Sequence, residues 1–594
     1  MLMKKECTNR FKFTLVDTGL MLLVSFASVA GNFHWKRVYW LAEMPVFIFV
    51  LALAVVAIVT LSFKRSANNR FEVIDGLVAV CYLYLLTRAS IAYYPSGPTD
   101  RIWVIIASLL FYCLFRYYHS GSIRSYSSII QGIVCLAAIH SIAGFLQWRA
   151  LFSGYDNSQR IAGLFSNPAL FGCFMAIGSC LSINIIMETG SRSVKWLNLV
   201  LFIVILAGLG VSGSRTAWIA AFISSSLIIL THYFKGKLSV SSLPLAVTVL
   251  LISIIGGSIL YKMNAASVDG RMLIWKIGWS MFKDHPVFGM GYGNFYTEYG
   301  NYQADYFLSG TRPEEEILTA SMNYYAFSEP LNLFIEEGII GGLLFVTLIG
   351  YGIFRALRFN DQRSKSAKVA VLSIMAVLML SGLFSYPLQD LFFNILFVLS
   401  IGIIASFGSL AEKDRTSKPH LYLRLGIILL LLIIGFYSAN KIYAFYNWKS
   451  AKQKILISEG DALVKYKSAY SLLSNNGAFL YNYGSELADL GQFEQALLIL
   501  KRAARHGNSV ELHLQLGKIY QSLGRLDDAE HSLVRASAMN PKLFLPLSRL
   551  MEFYKETGQL SKCRDIADKI INKRVKIPSE TINNIKKIAQ SNIR

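Results

Sequence analysis

Apolar runs of about 17–25 residues recur along this chain from Asp17 to Tyr437, and no other feature constrains its fold as strongly. Each is long enough to cross a hydrocarbon core of ~30 Å as a helix. They lie near 13–31, 41–63, 73–93, 103–119, 128–148, 168–188, 196–212, 216–233, 242–261, 331–354, 369–386, 391–408 and 424–440. Length alone, 594 residues, suggests several soluble domains. Composition opposes that: 54% of residues are hydrophobic, 16% are charged and mean hydropathy is +0.45, where soluble domains carry roughly 25% charge. A soluble enzyme, a disordered chain and a disulfide scaffold are excluded. The expected fold class is all-α: a polytopic helical membrane protein of about 13 transmembrane helices over 1–441, then a helical-repeat domain over 450–594.

The chain carries 58 Lys+Arg against 36 Asp+Glu. In a membrane protein such an excess marks cytoplasmic loops, and nucleic-acid binding is the weaker explanation. Lys64, Arg65 and Arg70 follow the second run, Arg355, Arg358, Arg363, Lys365 and Lys368 the tenth, and Lys413, Arg415, Lys418 and Arg424 the twelfth. Even-numbered exits and the N-terminus are therefore expected in the cytoplasm, although Lys36 and Arg37 run against the pattern. Odd-numbered exits then face outward, including the long loop 262–330 and everything after the last run. The basic start, Lys4 to Lys12, resembles a signal peptide but is read as a retained first helix. Cys81, Cys113, Cys135, Cys173 and Cys180 fall inside apolar runs, and no CxxC or metal-ligand spacing exists, so no zinc site or disulfide framework is supported.

The segment 450–594 repeats. Tyr483-Gly484, Gly491, Ala496 and Ala503 align with Leu516-Gly517, Gly524, Ala529 and Ala536 at an offset of 33, and Gly524 aligns with Gly558 at 34. A period of 34 with Gly between paired helices and Ala at close-packed positions resembles tetratricopeptide repeats. Two units match well, 542–572 matches in part, and a leading half-unit lies near 455–475. Stacked repeats make a concave surface for a protein partner; the alternative is a spacer or folding cap.

Four outward stretches carry candidate chemistry. Arg215, in Ser212-Gly213-Ser214-Arg215-Thr216-Ala217-Trp218, lies at the start of a span among small residues. It either binds an anion or snorkels to the interface. In the loop, Ile274, Trp275, Ile277, Met281 and Phe282 recur at helical spacing, as in a helix lying on a membrane surface. That helix stops at Pro286, and Gly289, Gly291 and Gly293 follow before Asn294. Their spacing is not a nucleotide fingerprint; they bring backbone N–H groups to an anion or simply form a loop. Ser328 and Pro330 open the tenth span, which places Glu336 about two turns inside it. An intramembrane carboxylate is a functional candidate, or else pairs with an arginine such as Arg215. Arg160, before Gly163 to Pro168, is the fourth.

In combination these stretches resemble the O-antigen ligase / O-antigen polymerase superfamily of bacterial membrane glycosyltransferases. The matching elements are G-x-x-x-N-P ending at Asn167-Pro168, S-R-T-A-W, G-R-x-x-x-W from Gly270 to Trp275 followed by D-x-P-x-x-G-x-G-x-x-N-F, and E-x-G-x-x-G at the helix opening. The resemblance implies en bloc transfer of a glycan from undecaprenyl diphosphate to an acceptor hydroxyl at the periplasmic face of the inner membrane. The acceptor would be lipid A core, a growing glycan or a protein; the non-enzymatic alternative is a polysaccharide transporter or a scaffold. It implies no cofactor and no metal, since no Asp-x-Asp pair is present and arginines would hold the diphosphate. Arg215 and Arg271 match the superfamily's functional arginines, and Glu329 and Glu336 complete the catalytic candidates. Arg160, Asn167, Trp275, His285, Gly291 and Asn294 are the substrate-binding candidates. Many ligases carry His-Asn where this chain reads Phe327-Ser328, which leaves the general base open between Glu329, Glu336 and His285.

Overall fold

The computed structural model describes residues 15–30, 44–63, 71–91, 101–118, 123–148, 161–233, 265–359, 365–407, 421–453 and 459–593. Among the described residues every regular element is helical. The apolar part comprises α1 (Leu15–Ala30), α2 (Met44–Phe63), α3 (Val73–Ser90), α4 (Ile102–Tyr118), α5 (Ile123–Trp148), α6 (Pro168–Glu188), α7 (Arg192–Val211) and α8 (Arg215–Tyr233). The loop holds α9 (Ala265–Asp284), α10 (Asn294–Leu308) and α11 (Glu314–Thr319). Then come α12 (Glu329–Arg358), α13 (Lys365–Gly382), α14 (Leu391–Ser406) and α15 (Leu421–Lys452). Eight helices are long and apolar enough to cross a membrane, namely α3, α5, α6, α7, α8, α12, α13 and α15, while α2, α4 and α14 hold shorter apolar segments. The expected count of thirteen is not reached among the described residues; the run at 242–261 and Arg160 lie outside them.

Contacts between helix ends sort the bundle into two faces. On one, Arg116 pairs with Asp75 (2.7 Å), Arg355 with Glu72 (3.1 Å) and Lys365 with Glu188 (3.2 Å). On the other lie the end of α3, the starts of α4, α6 and α12, the α13–α14 turn and the loop helices. Helices α6 and α14 are buried along almost their whole length. By contrast α15 exposes Leu429, Leu430, Leu432 and Ile433, as a lipid-facing helix does.

The tenth apolar run folds as a broken helix, not the uninterrupted one its sequence suggests. Gly338 adopts φ 66° and interrupts α12, so the Ile335 and Glu336 carbonyls and the Ile339 and Ile340 N–H groups lose their i→i+4 partners. Residues 286–291 replace all four. Met290 and Gly291 donate to the Ile335 and Glu336 carbonyls (2.9 and 2.7 Å), while Ile339 and Ile340 donate to the Pro286 and Val287 carbonyls (2.9 and 3.2 Å). The glycines are there for this approach. A Cβ on Gly289 (φ 68°) would collide with the backbone of Glu336–Glu337, and one on Gly338 with Val287 and Gly289. Helix α3 braces the junction: Arg88 donates to the Gly289 carbonyl (2.9 Å) and the Tyr84 hydroxyl to the Glu337 carbonyl (2.6 Å).

The last apolar helix does not end at the membrane. α15 continues for 32 residues, about 48 Å at 1.5 Å per residue, and its far half buries Ala444, Phe445, Trp448 and Ala451 in the repeat core. The composition change near 441–450 thus falls inside one helix. α16 (Glu459–Leu473) packs on it, followed by the pairs α17 (Gly477–Asp489) with α18 (Phe493–His506), α19 (Val510–Ser522) with α20 (Leu526–Met539), and α21 (Leu545–Glu556) with α22 (Leu560–Asn572). α23 (Glu580–Ile593) packs on the last pair. The repeated glycines Gly491, Gly524 and Gly558 turn each pair at φ 72–74°, and Ala496, Ala529, Ala503 and Ala536 are fully buried.

Two glycine substitutions separate backbone strain from collision. At Gly524 a Cβ meets nothing within 4 Å, so Gly524→Ala is expected to cost only the left-handed backbone, about 1–2 kcal/mol, with Gly524→Asn recovering most of it. Gly338→Ala adds a backbone clash and should lower the thermal midpoint of the detergent-solubilised protein well beyond Gly524→Ala. Equal midpoints for the two alanine variants would contradict the insertion of 286–291 into α12.

Candidate functional site

Glu329 and Glu336 are two turns apart on α12 and both are buried. Glu329 stands in the first turn, after the Ser328 cap, and receives the Leu388 N–H (2.6 Å) and the Gln389 amide (2.9 Å) from the α13–α14 turn. Glu336, oriented by the broken helix, accepts from Arg101 Nη1 (3.4 Å) and from the Phe295 N–H (3.3 Å). Arg101 completes the link by donating to Gln389 Oε1. Its guanidinium carbon lies 4.9 Å from the Tyr292 ring centroid and 5.3 Å from that of Tyr325. A cation held by a carboxylate, an amide and two aromatic faces is confined to one position.

Beside this cluster sits Tyr386. Its hydroxyl accepts from Asn167 Nδ2 (2.6 Å), while Asn167 Oδ1 caps α6 through the Ala169 N–H (2.8 Å). The Tyr386 ring meets Tyr325 at 4.6 Å and Phe327 edge-on at 5.1 Å. Arg271 lies 5.9 Å from the Phe327 ring centroid. Burial pushes the Tyr386 phenol up to about 12, against the opposing pull of the Asn167 hydrogen bond and the Arg271 charge. Phe327 has φ 52°, the one positive φ of a non-glycine among the described residues. Strain of this kind, about 1–3 kcal/mol, persists only where surrounding contacts enforce it.

These groups adjoin a cavity of about 550 Å³, within the ~300–1,000 Å³ range of small-molecule sites. Arg101, Ser166, Tyr386, Gln389 and Asp390 line its membrane side, and residues of α17 line the side formed by the repeats. Asp390 caps α14 through the Phe392 N–H (3.0 Å). Burial raises its carboxyl to about 6, opposed by the N–H groups of Phe392 and Phe393.

Of the residues singled out in the sequence, Asn167, Arg271, Glu329 and Glu336 converge around Arg101 and Tyr386. Arg215, half-buried at the start of α8, does not line the cavity; its neighbours Ser214 and Ala217 pack against Gly172 of α6. Trp275 ties α9 to the approach of α12 by donating to the Ala326 carbonyl (3.0 Å). His285 immediately precedes the inserted segment, its carbonyl receiving the Gly289 N–H (3.0 Å). The Gly291 N–H is engaged with Glu336, and the Asn294 amide closes the loop on the Met290 carbonyl (2.7 Å). Arg101, Tyr386, Gln389 and Asp390 were not singled out. The rule that marks Arg160, an arginine just before a span on the outward side, selects Arg101 equally.

Residues 199–346, which include Arg215, Arg271, Glu329 and Glu336, match the O-antigen ligase family model, and residues 487–544 match the tetratricopeptide repeat model. The chain is also similar to Protein O-mannosyl-transferase TMTC3 of Homo sapiens, 24% identical over 203 residues, 32% of this chain and 20% of that protein. The Mus musculus protein of that name is 24% identical over 222 residues, 35% and 22% respectively. The chain thus spans about a fifth of the length of these relatives. In architecture it is a multi-helix membrane protein bearing an O-antigen ligase domain, followed by tetratricopeptide repeats.

Proposed function

We propose that the chain is an O-antigen ligase-like glycosyltransferase, which moves a glycan en bloc from undecaprenyl diphosphate to an acceptor hydroxyl at the periplasmic face of a bacterial inner membrane. The observation that carries this reading is a cavity at the end of the bundle lined by Arg101, Tyr386 and the Asp390 carboxyl, with the Arg271 charge acting on the Tyr386 phenol. In the transfer, the acceptor oxygen attacks the anomeric carbon and its proton passes to a carboxylate. The anomeric C–O bond to the diphosphate breaks, and the polyprenyl diphosphate leaves with an added negative charge. Arg101 and Arg271 stabilise that charge where it develops, in place of a metal ion. Asp390 is the carboxylate that lines the cavity, and a pKa near 6 suits a base working near neutral pH. Glu329 and Glu336, which lie behind the cavity lining, position the Gln389 turn and Arg101. The acceptor is lipid A core, a growing glycan or a protein hydroxyl; the printed name of the relatives favours the last.

Alanine at Arg101 or Arg271 should lower transfer about 10²-fold or more. Lysine should restore only part of it, because the planar two-pronged donor is lost, and EDTA should change nothing. Near-normal turnover in both alanine variants, or strict Mg²⁺ dependence, would remove the arginine mechanism.

If Asp390 takes the proton, kcat/KM should fall as pH drops below about 6, because protonation of a carboxyl raised to about 6 removes the base. Asp390→Asn keeps a helix cap and should lower kcat and abolish this limb of the profile. Stability runs the other way. A carboxyl whose folded pKa exceeds its unfolded value stabilises at low pH, and that contribution fades as pH rises through about 6. At pH 8 the Asn variant should therefore melt no lower than the wild type.

Orientation is separately accessible. A reporter active only in the periplasm should work when fused after Asn540 and stay silent after Ser366; the reverse pattern would put the cavity on the wrong side for this donor.

A further inference from the structure

The two walls of the cavity differ in chemistry. The membrane wall carries charge, in Arg101 and Asp390. The opposite wall is built chiefly from the start of α17, and from Ser474 to Gly484 that stretch has no Lys, Arg, Asp or Glu. It presents Asn475, Asn476, Tyr481 and Asn482, with Lys452 and His506 beside them. Between the walls, Tyr296 and Tyr324 stack at 4.5 Å with an interplanar angle of 8°, and both line the cavity.

The repeats are held to the loop by specific contacts. Arg535 of α20 donates to Asn301 Oδ1 (3.1 and 3.2 Å) and pairs with Asp305 (3.1 Å). The Gln303 amide donates to the Met539 carbonyl, and Lys576 to the Leu318 carbonyl (3.1 Å). On the other side the repeats grow directly out of α15. The neutral wall is thereby set opposite Arg101.

Carboxamides offer both donors and acceptors, and so match the paired hydroxyls of a sugar. Tyrosine rings offer flat apolar faces with a polar tip. A diphosphate would seek Arg101, and the neutral wall offers it no cation other than Lys452 at its edge. We propose that this cavity is a saccharide subsite, with α17 of the repeat domain forming one wall of the transferase site itself rather than only recruiting an acceptor. The proposal rests on the transferase reading above, and the saccharide is the glycan of the donor or that of the acceptor.

The test uses the full-length protein in nanodiscs. Retention of the lipid-linked glycan extracted from cells making the protein is compared with retention of bare undecaprenyl diphosphate. The glycan released from that lipid by mild acid serves as the soluble acceptor in transfer assays. The variants are Tyr481→Ala and Asn482→Ala, with Tyr481→Phe keeping the ring. If the donor glycan occupies the subsite, the alanine variants should lose about tenfold in retention of the glycan-bearing lipid and nothing for the bare lipid. If the acceptor does, retention should hold while the KM of the released glycan rises about tenfold at unchanged kcat. Tyr481→Phe should fall between wild type and alanine. Variants that fold and keep both wild-type retention and wild-type KM overturn the subsite alone. Arg101→Ala should lose both lipids, and a wild type that retains neither overturns the transferase reading and this subsite with it.

Discussion

Four backbone hydrogen bonds between residues 286–291 and the break in α12 hold the site together. Inside a bilayer a broken helix is tolerated only where its freed N–H and C=O groups find partners within the protein. Here the partners come from a loop that would otherwise be an irregular surface segment, and the exchange is reciprocal: two carbonyls and two N–H groups on each side. Because the junction is backbone against backbone, it fixes the loop to the helix with little slack. Everything at the cavity inherits that registration. Gly293 and Tyr296 stand at the start of α10, immediately after the clip, and Glu336 stands immediately before the break.

The charged groups follow from the same geometry. A buried charge away from water is tolerated only when paired and hydrogen-bonded. Glu336 has Arg101 and a backbone N–H; Glu329 has a backbone N–H and Gln389; Gln389 is in turn held by Arg101. The chain of contacts joins α4, α12 and the α13–α14 turn, so Arg101 serves the fold as well as the cavity. Removing it leaves Glu336 short of its counter-charge, so Arg101→Ala perturbs the fold of the site as well as its charge, and Arg271→Ala is the companion variant that leaves the Arg101–Glu336 pair in place. Charge in a water-poor pocket acts more strongly than in solvent. An arginine already immobilised between two tyrosine rings needs little reorganisation when negative charge develops.

Much of this was legible in the sequence, and the gaps have physical causes. Apolar run length located the helices, because crossing a hydrocarbon layer demands length and hydrophobicity whatever the partners. The repeat period predicted the left-handed glycines at 491, 524 and 558, since a tight helix–helix turn needs positive φ. Asn167 and Arg271 are marked by the motifs of the resemblance, Glu329 and Glu336 by their place in the opening of an apolar span, and the four cluster. The helix break leaves no local signal: Gly338 in an apolar run reads as a packing glycine, and only the remote loop that docks there gives it a second meaning. Tyr386, Gln389 and Asp390 carry no such mark, because a polar turn between two spans looks like any connector. Its role arises from Glu329, some 60 residues away, which pulls the turn inward.

The continuity of α15 bears on what the repeats do. A flexible linker would leave a repeat domain free to sample many orientations, and its binding surface would then act only by raising local concentration. A helix of 32 residues, anchored in the bundle at one end and buried in the repeat core at the other, transmits orientation as well. The Arg535 and Gln303 contacts fix the domain at a second place, so two attachments define its pose over the cavity. For a transferase this matters because water competes with the acceptor hydroxyl for the same anomeric carbon. A site closed on one side by membrane helices and on the other by a docked domain excludes much of that water. Repeats that merely gathered acceptors would have no need of such rigidity; repeats that complete the walls of the site would.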